Sequence, residues 1–226
     1  MKHVIKNIKN EPQSLRDYRN NTPNASYSGY GDKSASGQDF LKPPLKYALS
    51  KEQGYICCYC MQRITEKQMS VEHYIPQNYH ASSPLKPDEH RRNDLNFLNM
   101  LASCNTGDRN CSGLRGNIWL RIDPRKKECE ILVKFEKNGR AYSNDPMIQI
   151  EINDVLHLNS DLLRENRKKV ILSAKARLTK LKRTGFLSNQ QIQNEIAFWL
   201  ESSRGEHREY CMAAVHYLRS KIQKAQ

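Results

Sequence analysis

The sequence predicts an α+β protein: short strands and a cysteine-framed centre come first, and helices come last. Three observations carry this. Two cysteine pairs, Cys57–Cys60 and Cys104–Cys111, bracket a stretch that reads as a strand ending in "SVEHYIPQ" (Ser70–Gln77). An Asn138–Gly139 step lies between alternating segments, the sequence form of a tight β-hairpin. From Asp154 onward apolar residues recur three and four apart, the helical period.

The elements follow in order. Residues 1–40 are rich in Asn, Ser, Gly, Lys and Tyr and poor in aliphatics, and read as a polar arm. Within it "HVIK" suits a short strand, and "EPQSLRDYR" suits a short helix with Pro12 near its first turn. "NNTPNASYSGYGDKSASG" is turn-rich and reads as extended. Leu45, Ala48 and Leu49 place a helix before the first cysteines, with Gly54 as its stop. "ICCYCMQRITEKQMSVEHYIP" reads as two short strands joined by "TEKQ", and the polar, proline-containing residues 79–93 as a loop. "DLNFLNMLASC" reads as the start of a helix capped by Asp94 or Asn93. After Asn117, "IWLRIDP", "CEILVKFEKNGRAYS" and "MIQIEI" alternate and are β-branched, so they read as strands. Leu162, Leu163, Val170, Ile171, Ala174 and Leu178 form one helical stripe. Two further helices follow, the first capped by Ser188. The expected organisation is an arm (1–40), a core around the cysteines (41–120), and a hairpin with C-terminal helices (121–226).

Composition bounds the function. The chain has 226 residues, 38% of them hydrophobic, with a net charge of +13. Its mean hydropathy is −0.82 and its pI about 9.4. No apolar run approaches the roughly 18 residues of a membrane span, and the N-terminus lacks the apolar centre of a secretory signal. The expectation is a cytoplasmic protein with no membrane partner. The basic balance favours a polyanion such as nucleic acid, because lysine and arginine release counterions from phosphates.

Seven cysteines in a chain of this size, in a reducing compartment, are read for metal before disulfides. Cys57, Cys60, Cys104 and Cys111 form two separated pairs, the usual way to build a closed tetrahedral zinc site, although the six residues inside the second pair exceed the usual two to four. Cys58 sits inside the first knuckle and is not counted as a ligand. Cys129, on an alternating segment, and Cys211, on an apolar helix face, read as core residues.

Between the pairs, Glu72 directly precedes His73, and Pro76 marks the end of the strand. Neighbours on a strand face opposite sides, so the two share a site only where the strand ends. A neutral imidazole there suits a general base taking a proton from water. The carboxylate suits a hard cation that neutralises a phosphodiester.

The ordered set of C-x-x-C, "VEHYIP", "LNFLNMLASC", a further cysteine and "LRGN" resembles the HNH (ββα-metal) endonuclease motif. The resemblance implies two strands and a helix around one catalytic divalent cation, Mg²⁺ or another, with a structural zinc knuckle outside. It implies His73 as general base, Glu72 as cation ligand, and Asn99 as the residue orienting the histidine, with Asn96 the rival. The residue after the last cysteine, commonly a cation ligand, is here Ser112, a poor one. Asn117, Asp108, Asn110 or a water are the alternatives, and Asn117 is carried forward. Taken with "MKHVIK", "EPQSLRDYR", "EQGYICCYCMQRI" and "EYCMAAVHYL", the similarity extends over most of the chain to the HNH subunits of Septu and retron-associated anti-phage systems, the PtuB family. That implies an ABC/SMC-type ATPase partner of the PtuA kind and a role in anti-phage defence. In the retron setting it adds a reverse transcriptase with its msDNA. DNA is the favoured substrate, with tRNA or other RNA open. The competing readings are a zinc-stapled nucleic-acid-binding module without catalysis, which Ser112 favours, and an assembly module.

Overall fold

A computed structural model describes residues 1–31, 42–105, 110–182 and 187–222. The protein is α+β, with helices around two small antiparallel sheets. In chain order the elements are α1 (Gln13–Asn21), α2 (Lys42–Glu52), β1 (Met69–His73), α3 (Pro87–Arg92), β2 (Met100–Cys104), α4 (Ser112–Arg115), α5 (Cys129–Leu132), β3 (Lys134–Phe135), β4 (Ala141–Tyr142), α6 (Pro146–Ile150), α7 (Asp161–Lys182), α8 (Asn189–Leu200) and α9 (Cys211–Arg219). No helix among the described residues is long and apolar enough to cross a membrane.

The central feature is the β1/β2 pair, with Met69 opposite Cys104 at one end and His73 opposite Met100 at the other. At about 3.3 Å per residue, these ends lie roughly 13 Å apart. The expected hairpin across "TEKQ" is not formed. Before β1 only an isolated Ile56–Arg63 bridge pairs, and the partner of β1 is a segment that reads in sequence as helix. Met100, Leu101 and Ala102 are good helix formers, but all five residues of β2 are buried, and tertiary pairing outweighs so weak a preference. The Asn96 side chain accepts from the Leu98 N–H and closes a single 3₁₀ turn, after which the chain extends. The outer edge of β2 is closed as well. Gln53 bonds both the N–H and the carbonyl of Ala102, and the Cys58 N–H donates to the same carbonyl.

Three further expectations are corrected. "IWLRIDP" is not a strand: the N–H groups of Arg121 and Ile122 donate to the buried Glu151 carboxylate instead of a neighbouring strand. "MIQIEI" is helical, forming α6 and then a wider π turn (Glu151–Val155), because Asp145 caps the N–H groups of Met147 and Ile148 and Pro146 opens the helix. Cys129 lies on the one-turn helix α5, although it is buried as expected. The Asn138–Gly139 turn does join β3 to β4. Gly139 has φ +85°, and a Cβ there would collide with the Arg164 carbonyl on α7.

The first 31 residues are bound into the body of the protein. Met1, Val4, Leu15 and Tyr30 are buried in its core, and Glu52 on α2 receives Lys6, the Asn7 N–H and Asn10. "HVIK" is not a strand: the Val4 N–H donates to the Pro124 carbonyl. The helix α1 forms as expected. The rest of the arm, residues 32–40, lies outside the described residues. At the other end, α9 packs against both α7 and α8. On α7 the buried stripe is Leu163, Arg167, Ile171, Ala174 and Leu178, while Leu162 is exposed. Ser188 caps α8 through the Gln191 N–H, as predicted.

Candidate metal centre and active site

Cys57, Cys60, Cys104 and Cys111 are buried, and their sulfurs all lie within 4.8 Å of one another. The Cys57–Cys111 and Cys60–Cys104 sulfur separations are both 3.8 Å. A tetrahedron of thiolates around zinc, with bonds of about 2.3 Å, has edges of about 3.8 Å, so the set fits that ion. None of the cysteines forms a disulfide. The knuckle is shaped by backbone bonds from the Cys57 N–H to Gln62 and from the Met61 N–H to Cys57, with Met61 at φ +66°. The wide second pair still converges, because Cys104 ends β2 while Cys111, at φ +58°, is tied by its N–H to the Leu156 carbonyl. Cys58 is buried beside the cluster but outside it. Burial pushes the Cys60 and Cys111 thiols up, whereas hydrogen bonds from neighbouring thiols hold Cys57 down against its own burial.

A buried cation supports the same reading. Arg167, 1% exposed, donates to the Leu163 and Leu158 carbonyls and has no carboxylate partner among the described residues. Burial lowers its pKa to about 10, and the charges that oppose this include Cys60 and Cys111. An unpaired guanidinium is expensive to bury. Four thiolates around one Zn²⁺ would carry two net negative charges and would supply that counter-charge.

The other end of the β1/β2 pair is built differently. His73, 6% exposed, places Nε2 at 2.9 Å from the Asp94 carbonyl oxygen. A carbonyl only accepts, so Nε2 carries the proton and Nδ1 the lone pair. Nδ1 receives no donor among the described residues. Burial lowers the His73 pKa below its ordinary 6.5; the Asp94 carbonyl opposes this, and Arg115 reinforces it. The imidazole is therefore neutral at pH 7 with a free lone pair, the state a general base requires. The Tyr27 ring stands edge-on to it at 4.6 Å. Asp94 holds that tyrosine in place, accepting from the Tyr27 N–H at 2.6 Å and from Gln77 at 2.7 Å.

Glu72 faces a different neighbourhood. One carboxylate oxygen accepts from the Tyr59 hydroxyl at 2.7 Å and from Arg115. Arg115, 1% exposed, also donates to the carbonyls of His73, Tyr74 and Ile118. Burial alone would lower the Arg115 pKa, but Tyr59 and Glu72 hold it above the ordinary arginine value. Burial pushes the Tyr59 phenol well up, so it stays protonated and donates. The other Glu72 oxygen takes no donor among the described residues. It offers a hard cation one open ligand and belongs to no group of three or more metal-ligating side chains among those residues. Mg²⁺ keeps much of its water and is commonly held by one or two carboxylates together with substrate phosphate. The donor set therefore fits such an ion as a foothold and not as a cage.

Asn99 is buried and its side chain makes no hydrogen bond to His73. Its side chain accepts from the Ile75 N–H and donates to the carbonyls of Ile75 and Asn93. It thus clamps the end of β1 to the turn that carries Asp94, whose carbonyl holds the imidazole. Asn96 is occupied with Asn93 and the Leu98 N–H. Asn117 lies in the turn after α4, half-buried, with no hydrogen bond to Glu72 or His73. Ser112 opens α4, Asn110 is buried, and Asp108 lies outside the described residues. Sequence reasoning passed over Arg115, Tyr59, Tyr27 and Arg167, and read Asp94 as a helix cap and not as a support of His73 and Tyr27. Of these only Arg115 had a local signal, standing four residues after Cys111 inside the "LRGN" that closes the motif.

Among known proteins, no family model and no curated protein matches this chain.

Proposed function

We propose that the chain is an HNH-type endonuclease that hydrolyses phosphodiester bonds in nucleic acid, with His73 as general base and a zinc ion held by Cys57, Cys60, Cys104 and Cys111. The observation that carries this reading is the neutral His73, with Nε2 tied to a carbonyl and Nδ1 left open, at one end of a strand pair whose other end meets four converging cysteines. Two antiparallel strands followed by the short helix α4 agree with a ββα core. In the reaction, His73 Nδ1 takes the proton of the attacking water. Asn99 keeps the turn around Asp94 in place, and Arg115 fixes Glu72. A divalent cation bound at the open Glu72 oxygen would neutralise charge on the phosphate and the leaving oxygen. The family resemblance adds a role in anti-phage defence beside an ATPase of the ABC/SMC type, with a reverse transcriptase and msDNA in the retron setting. DNA is the favoured substrate and tRNA the alternative.

The test compares wild type with His73→Ala on DNA and tRNA in Mg²⁺, with and without an ATPase of the ABC/SMC type. His73→Ala should keep the fold and lose about 10²–10⁴-fold in rate, the usual range for a lost general base. Equal cleavage by the two proteins would assign the activity elsewhere. A second reading, a zinc-stapled binding module without catalysis, is favoured by one observation: the imidazole is 6% exposed beneath Tyr27. Binding without cleavage under every condition would select it.

A further inference from the structure

We propose that the arginine-lined cleft between the end of α1 and the turn after α3 holds the phosphate backbone of the substrate strand; this rests on the nuclease reading and names its binding surface. The cleft, about 520 Å³, is lined among others by Arg19, Asn24, Arg91, Arg92, Leu95 and Asn96. Its charge is not cancelled internally. Arg91 is exposed and has no carboxylate partner among the described residues. Arg92 pairs with Asp88 at 2.7 Å, but both side chains are more than half exposed, and such a pair contributes little. Arg19 is fixed by two bonds to Glu11, at 2.6 and 3.2 Å, and by one to the Leu95 carbonyl. Glu11 also faces Arg16 at 3.5 Å. The three guanidinium groups that line the cleft thus stand against the carboxylates of Glu11 and Asp88, the first of which is shared with Arg16, and the Asp94 carboxylate is taken by Tyr27 and Gln77.

Cations in the last turn of a helix commonly balance its dipole. That accounts for each arginine on its own helix, and not for the basic ends of two helices meeting in one cleft. The position is the second argument. The Asp94 N–H donates to the Arg91 carbonyl, Leu95 lines the cleft, and the Asp94 carbonyl between them holds His73. The cleft and the imidazole share one turn of chain. Guanidinium groups donate in a planar fork that matches phosphate oxygens, and phosphate contacts position a nucleic acid without reading its sequence.

The experiment uses the full chain and a fluorescein-labelled oligonucleotide, as duplex DNA, single-stranded DNA and RNA, titrated across a salt series. The variants are R91A/R92A, the equal-charge control K175A/K180A on the exposed face of α7, and H73A. Thermal melts should match wild type for the two double variants, since the changed side chains are exposed. R91A/R92A should bind about tenfold more weakly, and on duplex DNA the slope of log K against log salt should be shallower by about 1.8, roughly 0.9 for each phosphate that is no longer neutralised. H73A and the control should bind as wild type. Wild-type affinity and slope in R91A/R92A would overturn the cleft while leaving the nuclease reading intact. So would an equal loss in the control, or a wild-type protein that binds none of the three probes. Loss of binding in R91A/R92A, together with a wild type that never cleaves, would uphold the cleft and remove the nuclease reading.

Discussion

At the Cys104 end of the β1/β2 pair four side chains converge on one point, whereas at the His73 end each polar side chain is held by a different part of the chain. The first arrangement is four side chains that could share one metal ion, and they should fail together if such an ion is withdrawn. The second is a set of separate clamps: Asp94 on His73, Arg115 on Glu72, Asn99 on Ile75 and Asn93. It should degrade in steps. The difference teaches that two unlike arrangements, one convergent and one dispersed, can sit about four residues apart along one strand. Tyr59, inside the cysteine knuckle, and Arg115, at the end of α4, tie the two ends together through Glu72.

Stripping the metal is the harshest way to break the comparison. A Cys₄ zinc site contributes roughly 10–16 kcal/mol of apparent binding free energy. Chelator treatment or Cys57→Ser should therefore unfold the centre, seen as lost zinc by metal analysis and a collapsed melting transition. Retained zinc and an unchanged melt in Cys57→Ser would sink the Cys₄ assignment. Next comes Arg115→Met, which strands Glu72 and three backbone carbonyls. Breaking a buried pair on one side costs about 3–5 kcal/mol, or roughly 6–20 °C in Tm for a chain of this size. Zinc should stay bound until unfolding, and a calorimetric melt with zinc release followed in parallel would check both points.

Asn99→Ala sharpens the contrast further. It removes three hydrogen bonds at about 0.5–1.5 kcal/mol each, a loss of roughly 2 kcal/mol. Cleavage should fall with it, because the turn presenting the Asp94 carbonyl loosens, while nucleic-acid affinity stays near wild type. A rate equal to wild type would remove Asn99 from the positioning machinery. The smallest effect is in pH. Because burial lowers the folded pKa of His73 below 6.5, the unfolded chain binds a proton first as pH falls. Stability therefore declines as pH drops from about 6.5 toward the folded value and is full above 6.5. His207 and His216 are lowered by burial too, so the His73 share is the difference between wild type and His73→Ala. The acid limb of the cleavage rate should likewise fall below pH 6.5, and a limb above that value would assign the base to another group.

The parts of this arrangement that were legible in the sequence are those whose signal is local. Cys-x-x-Cys, Asn138–Gly139 and Ser188 each act within a few residues, and the structure places them as read. The helix stripe of α7 was legible as a period, although Leu162 fell on the wrong side of it. What failed depended on distant partners. Residues 118–123 alternate like a strand, yet Glu151, some thirty positions later, takes their N–H groups. Met100–Cys104 has helix-forming residues, yet β1 claims it. The candidate active site divides the same way. His73 and Glu72 stood out as an adjacent pair, but their supports did not. Tyr27 lies in a segment that looks like polar linker, and the Asp94 carbonyl is backbone and has no sequence signature at all.

Helix α4 carries a consequence for how this chain can vary. It is a single turn that begins directly after Cys111 and ends at Arg115, whose N–H donates back to the Cys111 carbonyl. One end of the turn feeds the cysteine cluster and the other grips Glu72 and the His73 carbonyl. One residue inserted or deleted between them would rotate Arg115 by about 100°, given 3.6 residues per turn, and lose both grips at once. The exposed turn around Thr65–Gln68, which carries neither site, is free of that constraint. Length changes among divergent versions of this fold should therefore collect at the turn and never fall within 111–115.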